Sequence, residues 1–235
     1  MAKSRIEWTE STWNPITGCD KISAGCVNCY AHRMAMRLKS MGTPKYENGF
    51  QLTLHEDSIN DPYTWKKPKL VFVNSMSDFL HKDVPLEFIQ KLFKVMNDNQ
   101  MHTFQLLTKR PERFIEIQDT VHWSDNIWLG VTCENKISKY RIDLLRDMPA
   151  KVKFLSIEPL LECLGEVNLE GIHWAIVGGE SGPNSRVMLE PWVINIKDQC
   201  DLQDTMFYFK QWGGTNKKKS GRELLGQTWD DMPKI

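Results

Sequence analysis

Leu70-Val-Phe-Val73, then Pro85-Leu-Glu-Phe-Ile-Gln-Lys-Leu-Phe-Lys-Val-Met-Asn97, then Phe104-Gln-Leu-Leu107, is the stretch that decides the fold. The first and last pieces are short apolar runs rich in Val, Phe and Leu, which read as buried strands. Between them Phe88, Ile89, Leu92, Phe93 and Met96 recur with a 3.6-residue period, the pattern of a helix with one buried face over Leu86–Asn97. Pro85 sits where a helix begins. Strand, helix and strand in that order make a unit whose two strands run parallel.

The same pattern extends in both directions. Further strands are expected at Gln51–Leu54, Ile127–Val131, Val152–Ile157, His173–Val177 and Met206–Phe209, with an early one at Arg5–Trp8. Further helices are expected at Tyr30–Leu38, Ile137–Met148 and Trp192–Leu202, the last preceded by Pro191. The segment between Leu54 and Leu70 lacks a helical pattern. Seven or eight strand units in 235 residues fit an α/β fold. The expectation is a single TIM-like (β/α) barrel over residues 1–235, complete or partial, with parallel strands and its active site at the C-terminal mouth. A doubly wound open sheet is the second choice, since no G-x-G-x-x-G follows the first strand.

Polar and acidic residues follow nearly every strand: His55-Glu56, Asn74-Ser75, Thr108-Lys109-Arg110, Thr132-Cys133-Glu134, Glu158, Gly178-Gly179-Glu180 and Lys210-Gln211. In a barrel these positions converge on the catalytic end. Strand ends meeting solvent would also be polar, but Glu158-Pro159 and Gly178-Gly179-Glu180 are not loose turns.

Composition narrows the classes. Thirty Lys+Arg balance thirty Asp+Glu, so overall charge gives no argument for nucleic acid. Lys217-Lys218-Lys219 with Arg222 is the clearest local basic run, and a solvated turn is the commoner fate of such runs. No apolar run approaches the roughly 18 residues a membrane span needs. The N-terminus lacks an apolar signal region, which places the chain in a reducing cytoplasm.

In that compartment clustered cysteines point to metal or redox chemistry. Cys19, Cys26 and Cys29 have the spacing C-x6-C-x2-C within the loop 13–30. Three thiolates on one loop fit a site-differentiated [4Fe-4S] cluster with one iron open to a non-protein ligand. Zinc on the same cysteines plus His32 is a second reading, and thiols without a ligand are a third.

Seven segments carry a resemblance: Trp13-Asn-Pro-Ile-Thr-Gly-Cys19, Gly25-Cys-Val-Asn-Cys-Tyr30, Asn74-Ser-Met-Ser-Asp78, Leu107-Thr-Lys-Arg-Pro111, Ser156-Ile-Glu-Pro159, Val177-Gly-Gly-Glu-Ser-Gly182 and Lys210-Gln-Trp-Gly213. In these the chain resembles the phage-associated three-cysteine-motif proteins nearly end to end. That family is in turn similar to the radical S-adenosylmethionine superfamily, notably its spore photoproduct lyase branch. The resemblance implies a [4Fe-4S] cluster on Cys19, Cys26 and Cys29, with S-adenosylmethionine on the open iron. Reductive cleavage would give a 5′-deoxyadenosyl radical, so an electron donor is an implied partner. A phage setting makes nucleic acid, or a modified base within it, a candidate substrate.

Two features depart from the superfamily's pattern. The first cysteine gap is six residues rather than three. Gly178-Gly179-Glu180 comes late, whereas the superfamily's Gly-Gly-Glu follows the second strand, where this chain has His55-Glu56.

With that cofactor, Lys109 and Arg110 are the natural carboxylate donors, Arg through its planar fork. A helix-capping pair is their plain alternative. Asp78, Glu134, Glu158 and Glu180 are candidate acceptors, Tyr30 is a further cofactor contact, and Gly178 and Gly179 would let backbone approach a ligand. Glu158 is the candidate catalytic acid. Cys133, outside the triad, could give a hydrogen atom to a product radical, although a buried packing role is commoner. Cys163 and Cys200 read as packing. Two other functions compete: a zinc-stabilised nucleic-acid-binding or repair accessory protein, and a hydrolase using His55, Glu158 and Glu180. Nothing in the sequence sets the oligomeric state.

Overall fold

The computed structural model describes residue 4 and residues 6–234. Seven strands make one sheet: β1 (Ser11–Trp13), β4 (Leu70–Val73), β5 (Thr103–Thr108), β6 (Ile127–Thr132), β7 (Lys153–Ile157), β8 (Trp174–Gly178) and β9 (Met206–Gln211), in that order. The pairs β1–β4, β4–β5, β7–β8 and β8–β9 are parallel. All residues of β4, β6 and β8 are buried, as expected where a parallel sheet is covered on both faces.

The chain divides into two compact units. The first comprises residues 1–21, 29–129 and 148–151, and the second residues 22–28, 130–147 and 152–235. In the first, α2 (Leu86–Asp98) starts after Pro85 and buries Phe88, Ile89, Leu92, Phe93, Val95 and Met96. The helix α1 (Tyr30–Ser40) follows Cys29 directly, and α3 (Glu112–Ile117) follows β5. In the second unit α4 (Tyr140–Arg146) follows β6 and α5 (Glu190–Leu202) follows β8. Phe154 and Trp174 pack with ring centroids 5.8 Å apart in its core.

Three expectations are corrected. The first strand is β1, not Arg5–Trp8. Arg5 lies outside the described residues, and Ile6–Trp8 form a turn closed by Thr9 N–H to the Ile6 carbonyl. The apolar run at Gln51–Leu54 yields only β3 (Thr53–Leu54), which pairs antiparallel with β2 (Ile16–Thr17) in a separate two-stranded sheet. His55-Glu56 therefore follows no strand of the main sheet. His55 shares a 2.8 Å hydrogen bond with Thr17, and Glu56 pairs with Lys91. Finally, the helix expected at Ile137–Met148 is split. A 3₁₀ turn over Lys136–Lys139, held by an Asn135–Ser138 capping box, precedes α4.

Candidate functional site

The cysteine loop leaves β1 and alternates between the two units: Cys19 and Cys29 belong to the first, Ile22–Asn28 with Cys26 to the second. All three cysteines are half-buried, and none of the six cysteines forms a disulfide.

In the first unit Asp78 organises the ground around Cys19. Its Oδ1 accepts from Leu80 N–H and the Thr108 hydroxyl, and its Oδ2 from Lys109 N–H at 3.0 Å and Arg110 Nη1 at 3.0 Å. Arg110 Nη1 also lies 3.5 Å from Cys19 Sγ. Burial works against its charge, but Asp78 and Cys19 outweigh burial and raise the guanidinium's pKa. Lys109 is half-buried. The Tyr30 hydroxyl donates to the Ser75 carbonyl. His32 is exposed, with its ring edge-on to Phe50 at 5.2 Å.

A feature the sequence reading missed lies next to Cys19. Asp20, His81 and Asp83 bring ligand atoms within 4.8 Å of one another, the group of three that does so among the described residues. His81 is buried. Its Nδ1 accepts Asp83 N–H at 3.3 Å, and its Nε2 lies 3.1 Å from Asp20 Oδ2 without a hydrogen bond between them. Asp20 and His81 lie 61 residues apart, so no local spacing signals the pair.

In the second unit three acids close the strand ends, each paired with a base. Glu134, 1% exposed, accepts from Arg141 Nη1 at 2.9 Å and from the Ser23 hydroxyl. Glu180 binds Arg186 through both oxygens and accepts from Asn28 Nδ2 at 2.9 Å. Glu158 accepts from Lys210 Nζ at 2.8 and 2.7 Å, and from Gln211 Nε2 at 3.3 Å. The Glu158–Pro159 peptide is cis.

Gly179 is required by packing, since a Cβ there would lie 2.0 Å from the Trp212 carbonyl oxygen, whereas one on Gly178 would meet Glu158 and Lys210 at 3.4 Å, an ordinary contact. Cys133 is fully buried, with Sγ 3.7 Å from the Asn135 carbonyl oxygen. Burial pushes its thiol up to about 11, so it stays protonated at neutral pH. This is the placement of a packing residue. Cys200 is likewise buried and pushed up to about 12. The carboxylates proposed for a hydrolase are engaged separately, Glu158 by Lys210 and Glu180 by Arg186.

Glu180 gives a pH prediction. Burial alone would raise its pKa, but the Arg186 side chain, Arg186 N–H and Asn28 hold the carboxyl down at about 2, from an ordinary 4.5. A depressed folded pKa stabilises fully above the unfolded value and is lost as pH falls through the folded one. In urea titrations the advantage of wild type over Glu180→Gln is therefore expected to shrink between about pH 5 and 2. With Arg186 partly exposed, the loss is on the order of 2 kcal/mol.

The side chains of Lys217 and Lys218 lie outside the described residues, and Arg222 pairs with Asp230. No described helix is long and apolar enough to cross a membrane.

Parallel strands with helices between them, and a three-cysteine loop after the first strand, define an α/β protein of the partial TIM-like barrel class. The model of a family described as "Protein of unknown function (DUF5131)" matches residues 3–233, and the chain belongs to that family. No curated protein matches it. Among solved structures it is similar to one titled "Spore photoproduct lyase complexed with dinucleoside spore photoproduct", with a TM-score of 0.51 and 11% identity. The match covers 86% of this chain and 64% of that one, so the chain spans under two thirds of that protein's length.

Proposed function

We propose that this chain is a radical S-adenosylmethionine enzyme whose Cys19, Cys26 and Cys29 hold a [4Fe-4S] cluster. The observation that carries the reading is the cysteine loop itself. Three half-buried thiols, none in a disulfide, lie on a loop held by hydrogen bonds to side chains of the fold. The donor set fits the group: three thiols able to ionise, with Cys19 Sγ receiving a hydrogen bond from Arg110 Nη1. Hydrogen bonds to cluster sulfurs are one of the means by which proteins set cluster potential.

Cys19, Cys26 and Cys29 would hold the cluster, which would supply the electron for reductive cleavage of S-adenosylmethionine and so hydrogen abstraction from substrate. The chain's own residues orient and exclude water. Arg110, fixed by Asp78, and the half-buried Lys109 offer positive charge for the cofactor's carboxylate. Glu158, oriented by Lys210, is the acid assigned to cofactor or substrate hydroxyls. The similar structure was solved with a dinucleoside photoproduct, which supports nucleic acid or a modified base as the substrate class here. The phage setting and a separate electron donor belong to the same proposal.

Anaerobic reconstitution followed by iron, sulfide and zinc analysis tests it. The expected result is a brown protein with about four iron and four sulfide per chain. Stoichiometric zinc without sulfide would replace the proposal with the structural-zinc reading.

A further inference from the structure

Three side chains of the second unit, Glu134, Glu180 and Arg186, and the Asn184 carbonyl converge on the short segment that carries Cys26. Ser23–Asn28 contains a single short 3₁₀ helix, Ala24–Cys26, closed by Cys26 N–H to the Ser23 carbonyl at 3.0 Å and Val27 N–H to the Ala24 carbonyl at 3.4 Å. So short a turn has little stability of its own. Its order must come from outside, and the contacts sit at both ends. At the start, the Ser23 hydroxyl donates to Glu134. At the end, Asn28 Nδ2 donates to Glu180 Oε2 at 2.9 Å and to the Asn184 carbonyl at 3.0 Å. In the middle, Arg186 Nη2 donates to the Ala24 carbonyl at 2.9 Å while also holding Glu180.

The approach is close. A Cβ on Gly25 would lie 2.7 Å from Glu134 Oε1 and 2.8 Å from its Cγ. Glu134 cannot easily yield, because it is buried and tied to Arg141. Glycine at position 25 is thus the residue that lets the turn rest on the carboxylate. Both acids are balanced inside the protein, by Arg141 and Arg186, so they can accept from the loop without carrying an uncompensated charge.

We propose that Glu134 and Glu180 are positioning residues: two strand-end carboxylates, after β6 and β8, that grip the Ser23–Asn28 turn by its ends and set the place of Cys26. Their function is to present one thiol, not to contact the cofactor. The inference rests on the reading of Cys26 as a cluster ligand, but the grip itself exists without metal.

The test uses the full-length, metal-free chain under reducing conditions. Cys26 alkylation by iodoacetamide is followed by peptide mass spectrometry, with half-buried Cys163 as the internal reference. Ser23→Ala with Asn28→Ala removes the loop side of both contacts and leaves both buried ion pairs intact, so folding should survive. Cys26 is expected to react about tenfold faster in this variant, with Cys163 unchanged, since two hydrogen bonds to charged acceptors no longer oppose local opening. Ser23→Thr alone, which keeps the hydroxyl and leaves Asn28 in place, should react at the slow wild-type rate. Reactivity of Cys26 within twofold of wild type in the double variant would overturn the proposal. A faster Cys26 in a chain that never takes up iron would uphold the grip and reject the cluster, so the two failures are distinct. If iron is taken up, the double variant should also lose it to a chelator several-fold faster than wild type.

Discussion

Arg141→Met is expected to be the most destabilising single substitution in the second unit, at about 3–5 kcal/mol. Arg141 is 4% exposed, and its Nη1 donates to Glu134 Oε2 and to the Thr132 carbonyl, each at 2.9 Å. Removing it takes the paired guanidinium from a buried carboxylate that the Ser23 hydroxyl also contacts. Uncompensated burial of that charge, not the lost attraction, sets the size of the effect. For a chain of this length the melting temperature should fall by roughly 6–20 °C. The double variant Arg141→Met/Glu134→Leu should recover much of the loss, because replacing both members of a buried pair with apolar groups is close to neutral. A single variant that melts within about 2 °C of wild type would show that the pair is not buried as described.

Cys26→Ala is expected to have the largest effect on the proposed cofactor. It would remove one of the three proposed cluster ligands. Iron and sulfide should drop from about four each to well under one per chain. Folding should be spared, because Cys26 is half-buried in a turn whose anchoring side chains are Ser23 and Asn28. Cys200→Ala is the control. Cys200 is fully buried on α5, and its loss should leave iron content unchanged while costing some packing energy. Equal iron in Cys26→Ala and wild type would remove the loop from the metal site.

Much of this was legible before the structure, for definite reasons. Leu70–Val73 is a strand at those residues because a continuous apolar run has nowhere to go but a doubly covered sheet. The helix α2 declared itself by the spacing of Phe88, Ile89, Leu92, Phe93 and Met96 and by Pro85. β1 was not legible: Ser11-Thr-Trp is three residues long with one large apolar side chain, and only its parallel register against Val71–Val73 makes it a strand. The Thr53–Leu54 strand was visible, but its antiparallel partner Ile16–Thr17 was not, since pairing depends on tertiary contact.

The site divides the same way. The strand-end acids could be read from their positions after apolar runs. Their partners were not read, although Arg141 lies only seven residues after Glu134 and Arg186 six after Glu180. The bond from Asn28 to Glu180 spans 152 residues and leaves no local signal. The glycines of Gly178-Gly179 were visible as an unusual pair, but the close approach of the Trp212 backbone to Gly179 was not.

Electron paramagnetic resonance of the dithionite-reduced, cluster-loaded protein, recorded with and without S-adenosylmethionine, tests the central claim most directly. If the three-cysteine loop leaves one iron open to the cofactor, adding it should shift the spectrum, and 5′-deoxyadenosine should accumulate slowly even without substrate. A fully loaded cluster whose spectrum is unchanged by the cofactor, with no 5′-deoxyadenosine formed, would contradict the account.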